Sequence, residues 1–137
     1  MNRRKFVKDG STVAALAAVA SIIPMSIYAQ RTPVKPTLQH YVLFWLKPGL
    51  SEEKIAEFTG FFEELKKIKS KLSLTYGRAA ATASRDVVDN SFTYALNITF
   101  ATLADQNAYQ DDQIHKDAIQ KYSSFWDKVV VHDSIMN

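Results

Sequence analysis

The stretch LQHYVLFWLK, Leu38 to Lys47, restricts what this chain can fold into more than any other. Side chains of a strand alternate between its two faces. Leu38, His40, Val42, Phe44 and Leu46 then share one face, and Tyr41, Leu43 and Trp45 the other, with Gln39 as the polar exception. Both faces ask for burial. One can pack on the protein's own helices; the other needs a different cover. The three consecutive valines Val129 to Val131, in KVVVHDS, set the same demand near the chain's end.

The segments between supply the rest of a fold. KPGLSEE reads as a turn and a helix start, with Ser51 as N-cap and Glu52 and Glu53 in the first turn, where acids suit the helix dipole. SEEKIAEFTGFFEELKKIK places Ile55, Phe58, Phe62 and Leu65 at helical spacing, and Phe61 and Ile68 widen the stripe. One continuous helix is predicted, with an outward Glu63–Lys67 pair and close packing at Gly60. KLSLTYGRA is a short second strand, and Ala79 to Asn90 is a loop. SFTYALNITF is the clearest strand, with Phe92, Tyr94, Leu96, Ile98 and Phe100 on one face. Thr102 then caps a helix, with Asp105 three residues on. Helical pattern runs to Trp126 with a predicted break at Asp111-Asp112, and KVVVHDS is the last strand.

The order β-α-β-β-α-β defines an α+β, ferredoxin-like unit: one antiparallel sheet with helices on a single face. Its open face would expose several large apolar side chains, each worth roughly 1.5–3 kcal/mol when buried. A second copy, with the two sheets facing across a dimeric α/β barrel, removes that exposure, so an isologous homodimer enclosing a chamber is expected.

The first 29 residues read as an address. MNRRKFVK carries Arg3, Arg4 and Phe6, an Ala-rich run extends to Ile23, Pro24 breaks it, and Ala29 offers a cleavage point. The segment resembles a bacterial twin-arginine signal, with Asn2 and Val7 as departures, which implies export to the periplasm or beyond. An ordinary secretory signal and an uncleaved anchor are the alternatives. The apolar run is too short for a spanning helix with normal flanks, so no stable membrane span is expected once it is removed. Residues 30–37, QRTPVKPT, read as an extended leader, and 38–137 as one domain.

The whole chain of 137 residues has a net charge of +3, from 17 basic and 14 acidic side chains. Arg3, Arg4, Lys5 and Lys8 against Asp9 account for all of it, so residues 30–137 are balanced and give no reason to expect nucleic acid as a partner. With no cysteine, disulfides, thiolate nucleophiles and Cys-ligated metals are excluded.

HYVLFWLK, FTYALNITF followed by Tyr109 and His115, and the terminal SSFWDKVVVHD resemble, in order and spacing, the stress-responsive dimeric α/β barrel (Dabb) family over about Leu38 to Asp133. The resemblance implies the dimeric barrel. That fold hosts several activities, including cofactor-free monooxygenases. A plant member, olivetolic acid cyclase, closes a polyketide ring with a histidine base and a neighbouring tyrosine, and a second histidine lines its pocket. By motif position these resemble His115, Tyr109 and His40; Phe58, Phe61 and Phe62 stand on the helix that carries pocket aromatics in the cyclase, and Val42, on the strand face of His40, is a further candidate for the pocket. Where the family often has Tyr-x-x-His-Pro-x-His, this chain has YQDDQIH, with Asp112 and Gln113 replacing His and Pro. The departure argues against carrying the cyclase's substrate over and bears on the turn that presents His115.

The residues leave two readings for most of these positions. His115 titrates near neutrality and suits proton transfer, or it is a surface histidine with Tyr109 as packing. His40 lines a pocket, or it is a structural histidine whose ring has found a partner. Phe58, Phe61 and Phe62 line a cavity or are plain core. His132 and Asp133 read as edge or turn residues. His40, His115 and His132 with Asp111 or Asp112 are metal-binding types, but no HExxH motif gathers them, and no metal or cofactor is expected. The expected function is an exported homodimer binding a small apolar or aromatic molecule, with His115 and Tyr109 supplying acid–base chemistry. The alternatives are a non-catalytic binding module and a monooxygenase-like enzyme.

Overall fold

The structure is a computed structural model, and it describes residues 34–137. The proposed signal segment and the start of the leader lie outside the described residues. Residues 34–36 are irregular, and β1 (Thr37–Leu46) follows directly. Gly49, at φ +81°, makes the turn out of it, a conformation open to glycine and costly for other residues. Then come α1 (Glu52–Glu57), α2 (Thr59–Lys66), β2 (Ser73–Arg78), β3 (Tyr94–Phe100), α3 (Leu103–Asp111), α4 (Gln113–Tyr122), a 3-10 turn (Ser123–Phe125) and β4 (Trp126–Met136).

The four strands form one antiparallel sheet in the order β2-β3-β1-β4. This is the ferredoxin-like α+β fold expected from the element order. Alternation along β1 and β3 decides what is buried. Leu38, His40, Val42, Phe44 and Leu46 face the helices together with Tyr94, Leu96, Ile98 and Phe100, and all are buried. Phe58, Phe61, Phe62, Leu65 and Ile68 close that layer from above. Among the described residues no helix is long and apolar enough to cross a membrane.

The caps are local and fall where the sequence puts them. The Ser51 hydroxyl accepts from the Lys54 amide, and the Thr102 hydroxyl accepts from the Asp105 amide. The Asp111-Asp112 break is real: α3 ends at Asp111, and the Asp112 carboxylate accepts from the Ile114 amide at 2.8 Å to start α4.

The helix expected over residues 51–69 differs. It divides at Phe58, where the Phe61 amide reaches the Phe58 carbonyl in a tighter, i to i+3 step, and the Thr59 hydroxyl takes the Ala56 carbonyl. The surface ion pairs are also i,i+3, Glu63–Lys66 and Glu64–Lys67, so Glu63 does not pair with Lys67. Gly60 packs closely, as expected: a Cβ there would overlap the Tyr122 hydroxyl.

The face of the sheet away from the helices is partly covered by the chain itself. The Trp45 indole donates to the Ser91 hydroxyl at 2.9 Å, with Lys128 over its ring. Tyr41 remains exposed, and Leu43 and Val130 are half-buried.

Candidate functional site

A cavity of about 290 Å³ opens between the sheet and the helices, inside one protomer. The chamber expected between two facing sheets is therefore not where the candidate residues meet. They sit on the helix side, because β1 turns His40 and Val42 toward the helices and α3 and α4 bring Tyr109 and His115 down onto them. Four polar side chains line the cavity: His40, Tyr109, Gln110 and His115. The remaining wall is apolar, including Val42 and Phe44 from β1, Phe61 and Leu65 from α2, and Val129 and Val131 from β4.

Six residues separate Tyr109 from His115, a spacing that one straight helix would not keep on one face. The break at Asp112 solves this. Tyr109 lies in the last turn of α3, His115 sits in the first turn of α4, and their rings lie 4.7 Å apart. Tyr109 is fully buried, wedged edge-on against Phe100 at 5.2 Å and His40 at 6.1 Å.

Burial sets the protonation of this pair. It pushes the Tyr109 phenol well above its ordinary value of 10.0, so the hydroxyl stays a donor. It holds the His115 imidazole below its ordinary 6.5, helped by the charge that nearby His40 can carry. The Asp112 carboxylate and a hydrogen bond with the Gln110 backbone act the other way. A neutral imidazole beside a protonated phenol, in an apolar pocket, can accept a proton and steady the oxygen anion that results.

His40 is buried, and its Nδ1 is 2.6 Å from the Asp133 carboxylate. Asp133 is thus a β4 residue opposite His40, not a turn residue. Sequence reasoning missed this partner. The signal that finds it is the register of two apolar strands: pairing Phe44 with Val129 and Val42 with Val131 carries His40 to Asp133. His132 pairs with Tyr41 and belongs to the opposite parity, away from His40. Among the described residues, no three His, Asp or Glu side chains come together as a metal site would need.

Of the aromatic trio Phe58, Phe61 and Phe62, at the α1–α2 junction and on α2, only Phe61 lines the cavity. Phe58 and Phe62 do not. Phe62 stacks on Tyr76 at 4.4 Å, and Phe58 is enclosed by Phe61, Tyr94 and Phe125. The reason is rotation: Phe61 and Leu65, four apart, face the cavity, which turns Phe58 and Phe62 into the packed layer beside it. Gln110 and Trp126 also line the cavity and carried no sequence signal that marked them for it.

No curated protein matches this chain. Among solved structures, a hydroxynitrile lyase from Passiflora edulis is 23% identical with a TM-score of 0.64, over 76% of this chain and 96% of that one. A Dabb-family protein with a ferredoxin-like fold from Mesorhizobium loti is 17% identical with a TM-score of 0.61, over 74% and 98%. A dimeric ferredoxin-like protein of unknown function from Thermobifida fusca is 15% identical with a TM-score of 0.59, over 74% and 92%. At these identities the likeness shows the shared fold. Residues 38–136 match the Stress responsive A/B Barrel Domain, almost the whole of the described fold, and the chain belongs to that Dabb family.

Proposed function

We propose that this protein is an exported homodimer that takes a small, mainly apolar, aromatic or polyketide-like molecule into the sheet–helix cavity and performs cofactor-free acid–base chemistry on it. The observation that carries the reading is the Tyr109–His115 pair, 4.7 Å apart at an otherwise greasy pocket. His115 is the base. It takes a proton from a carbon beside a carbonyl, or from a hydroxyl, and returns it after the bond change. Tyr109 donates its O–H to the oxygen that becomes negative. His40, fixed by Asp133, is the pocket's second histidine. The cavity, at about 290 Å³, suits a molecule at the small end of ordinary ligands.

The amino-terminal twin-arginine pattern supports export, and the dimeric relatives of the same fold support the homodimer. A relative named as a hydroxynitrile lyase places hydroxynitriles in the substrate panel beside polyketide-like esters and aromatic aldehydes. The test is turnover of that panel by the full chain, His115→Ala and Tyr109→Phe, with binding followed separately. Turnover abolished in His115→Ala and cut sharply in Tyr109→Phe supports the reading. Turnover unchanged in His115→Ala sinks it. Binding without turnover by the unmodified protein favours a binding module.

A further inference from the structure

We propose that Gln110 selects the ligand, and that it selects uncharged molecules carrying a hydroxyl apart from the carbonyl that reacts. The inference deepens the acid–base reading above and rests on it. The other three polar side chains of the cavity already have a partner or a role. The His40 Nδ1 is bound to Asp133, the Tyr109 hydroxyl serves the oxygen that becomes negative, and the His115 ring is the base. Gln110 lines the same cavity and has neither. Among the described residues its side-chain amide enters no hydrogen bond with the rest of the chain.

The main chain explains why Gln110 sits where it does. α3 ends one residue later, and the carbonyls of a helix's last turn lack helical partners. The Tyr109 carbonyl accepts from the Asp112 amide at 3.3 Å, and the Gln110 backbone is hydrogen-bonded to the His115 ring. The Gln110 N–H is used inside α3, so its carbonyl accepts and the ring N–H donates. That leaves the second ring nitrogen as the proton acceptor. Gln110 thus holds the base through its backbone and offers its side chain to the cavity the base serves.

The surroundings decide which group the amide takes. A glutamine amide both donates and accepts, and carries no charge. The carboxyl end of a helix is the negative end of its dipole. Asp111, exposed, and Asp112, half-buried, follow directly, and the nearest basic residue in the chain beyond them, Lys116, is exposed. A ligand carboxylate therefore meets like charge at this corner. A neutral hydroxyl does not, and it can give its proton to the amide oxygen. A plain hydrocarbon ligand would strip water from the half-buried amide and return no hydrogen bond. The class that fits is a small hydroxylated aromatic or alkyl carbonyl compound: carbonyl to Tyr109 and His115, hydroxyl to Gln110, and carbon skeleton against the apolar wall.

Calorimetry on the full chain, Gln110→Leu, Gln110→Glu and His115→Ala tests this with benzaldehyde, its hydroxybenzaldehyde isomers and the matching formylbenzoates. Mildly acid buffer keeps the phenols protonated and the carboxylates ionised. In the unmodified chain at least one hydroxybenzaldehyde should bind roughly three- to tenfold tighter than benzaldehyde, the worth of one net hydrogen bond, and the formylbenzoates more weakly than benzaldehyde. Gln110→Leu should erase the hydroxyl's advantage without weakening benzaldehyde. Gln110→Glu should keep that advantage and weaken the formylbenzoates further. His115→Ala should retain the preference, since binding and not turnover is read; a catalytically silent His115 therefore leaves the result intact. Equal affinities across the series in the unmodified chain, or a hydroxyl advantage that survives Gln110→Leu, overturns selection by Gln110 and leaves the acid–base reading standing. Where circular dichroism shows Gln110→Leu unfolded, Gln110→Glu decides: formylbenzoate affinity unmoved by the added charge overturns the proposal. Binding of no probe at all overturns both this selection and the aromatic-ligand reading on which it rests.

Discussion

His40 and Asp133 meet across the β1–β4 pair, Nδ1 to Oδ1 at 2.6 Å, although 93 residues separate them in the chain. The ring is buried and the carboxylate half exposed, so the bond anchors a polar group in the apolar face at the price of little desolvation. Asp133→Ala leaves the buried ring without this partner. Exposure of the carboxylate discounts the loss, and about 1 kcal/mol is expected. Urea unfolding at neutral pH checks the figure. Asp133→Asn, which keeps a hydrogen-bonding oxygen, recovers part of it, whereas an unchanged midpoint in Asp133→Ala would mean the contact contributes nothing.

The His115 imidazole is held below its ordinary value, 6.5, chiefly by burial. The unfolded chain therefore binds this proton more readily than the native one. The contribution to stability is present above 6.5 and is lost as pH falls from there through the lower native value. The same shift keeps the base unprotonated in mildly acid solution. For whichever substrate is turned over, the acid limb of kcat/KM should have its midpoint below 6.5. NMR titration of the ring reads the value directly, and a midpoint at or above 6.5 contradicts the assigned environment. Tyr109 contributes no alkaline limb below its ordinary 10.0, since burial moves it upward.

What the sequence made legible was local. Alternation marked the buried faces of β1 and β3, because a two-layer fold forces every second residue inward. The caps Ser51 and Thr102, and the break at Asp111-Asp112, were readable because a cap is a contact between neighbours in the chain. The His40–Asp133 bond was not, since it depends on the register of strands from opposite ends of the domain. The choice of Phe61 over Phe58 and Phe62 was not legible either. An apolar stripe this wide fixes that a helix is buried, and the tighter step at Phe58 fixes how it is turned. The cavity's position between sheet and helices followed from that same rotation and from the α3–α4 break, not from composition.

Asp112 holds two roles that substitution separates. Its carboxylate caps α4, and its charge raises the His115 proton affinity against the effect of burial. Asparagine preserves a good N-cap and removes the charge. In Asp112→Asn the His115 midpoint should fall further below that of the unmodified protein, with stability at neutral pH nearly unchanged. Asp112→Ala shifts the midpoint in the same direction and also costs about 1 kcal/mol for the lost cap. NMR titration and denaturant melts on the two variants check both. A midpoint that rises in Asp112→Asn would contradict the electrostatic role.

Phe61 and Phe62 are neighbours with equal burial and different surroundings, one at the cavity and one stacked on Tyr76. Phe61→Leu and Phe62→Leu should each lose roughly 1–2 kcal/mol of stability from the smaller side chain. Ligand affinity should change severalfold in Phe61→Leu alone, because only that ring forms part of the wall a bound molecule touches. Paired unfolding and binding measurements with one aromatic probe make the comparison. Equal changes in affinity for the two variants would mean that the wall and the core layer respond as one body.

Gly60 tests how rigid that layer is. Alanine is the better helix former by about 1 kcal/mol, so at an open position Gly60→Ala would stabilise α2. Here the new methyl meets the Tyr122 hydroxyl. Tyr122 cannot swing aside freely, for its ring is buried against Phe58, Phe61 and Phe125. Overpacking of this kind costs about 1–3 kcal/mol, and a net loss of roughly 1 kcal/mol is expected after the gain in propensity. Tyr122→Phe removes the atom in the way, so the double variant should be more stable than the two single losses predict, a coupling that thermal or urea melts of all four proteins measure. A stabilised Gly60→Ala would show instead that the Tyr122 ring yields, and that the aromatic layer behind the cavity is softer than its packing indicates.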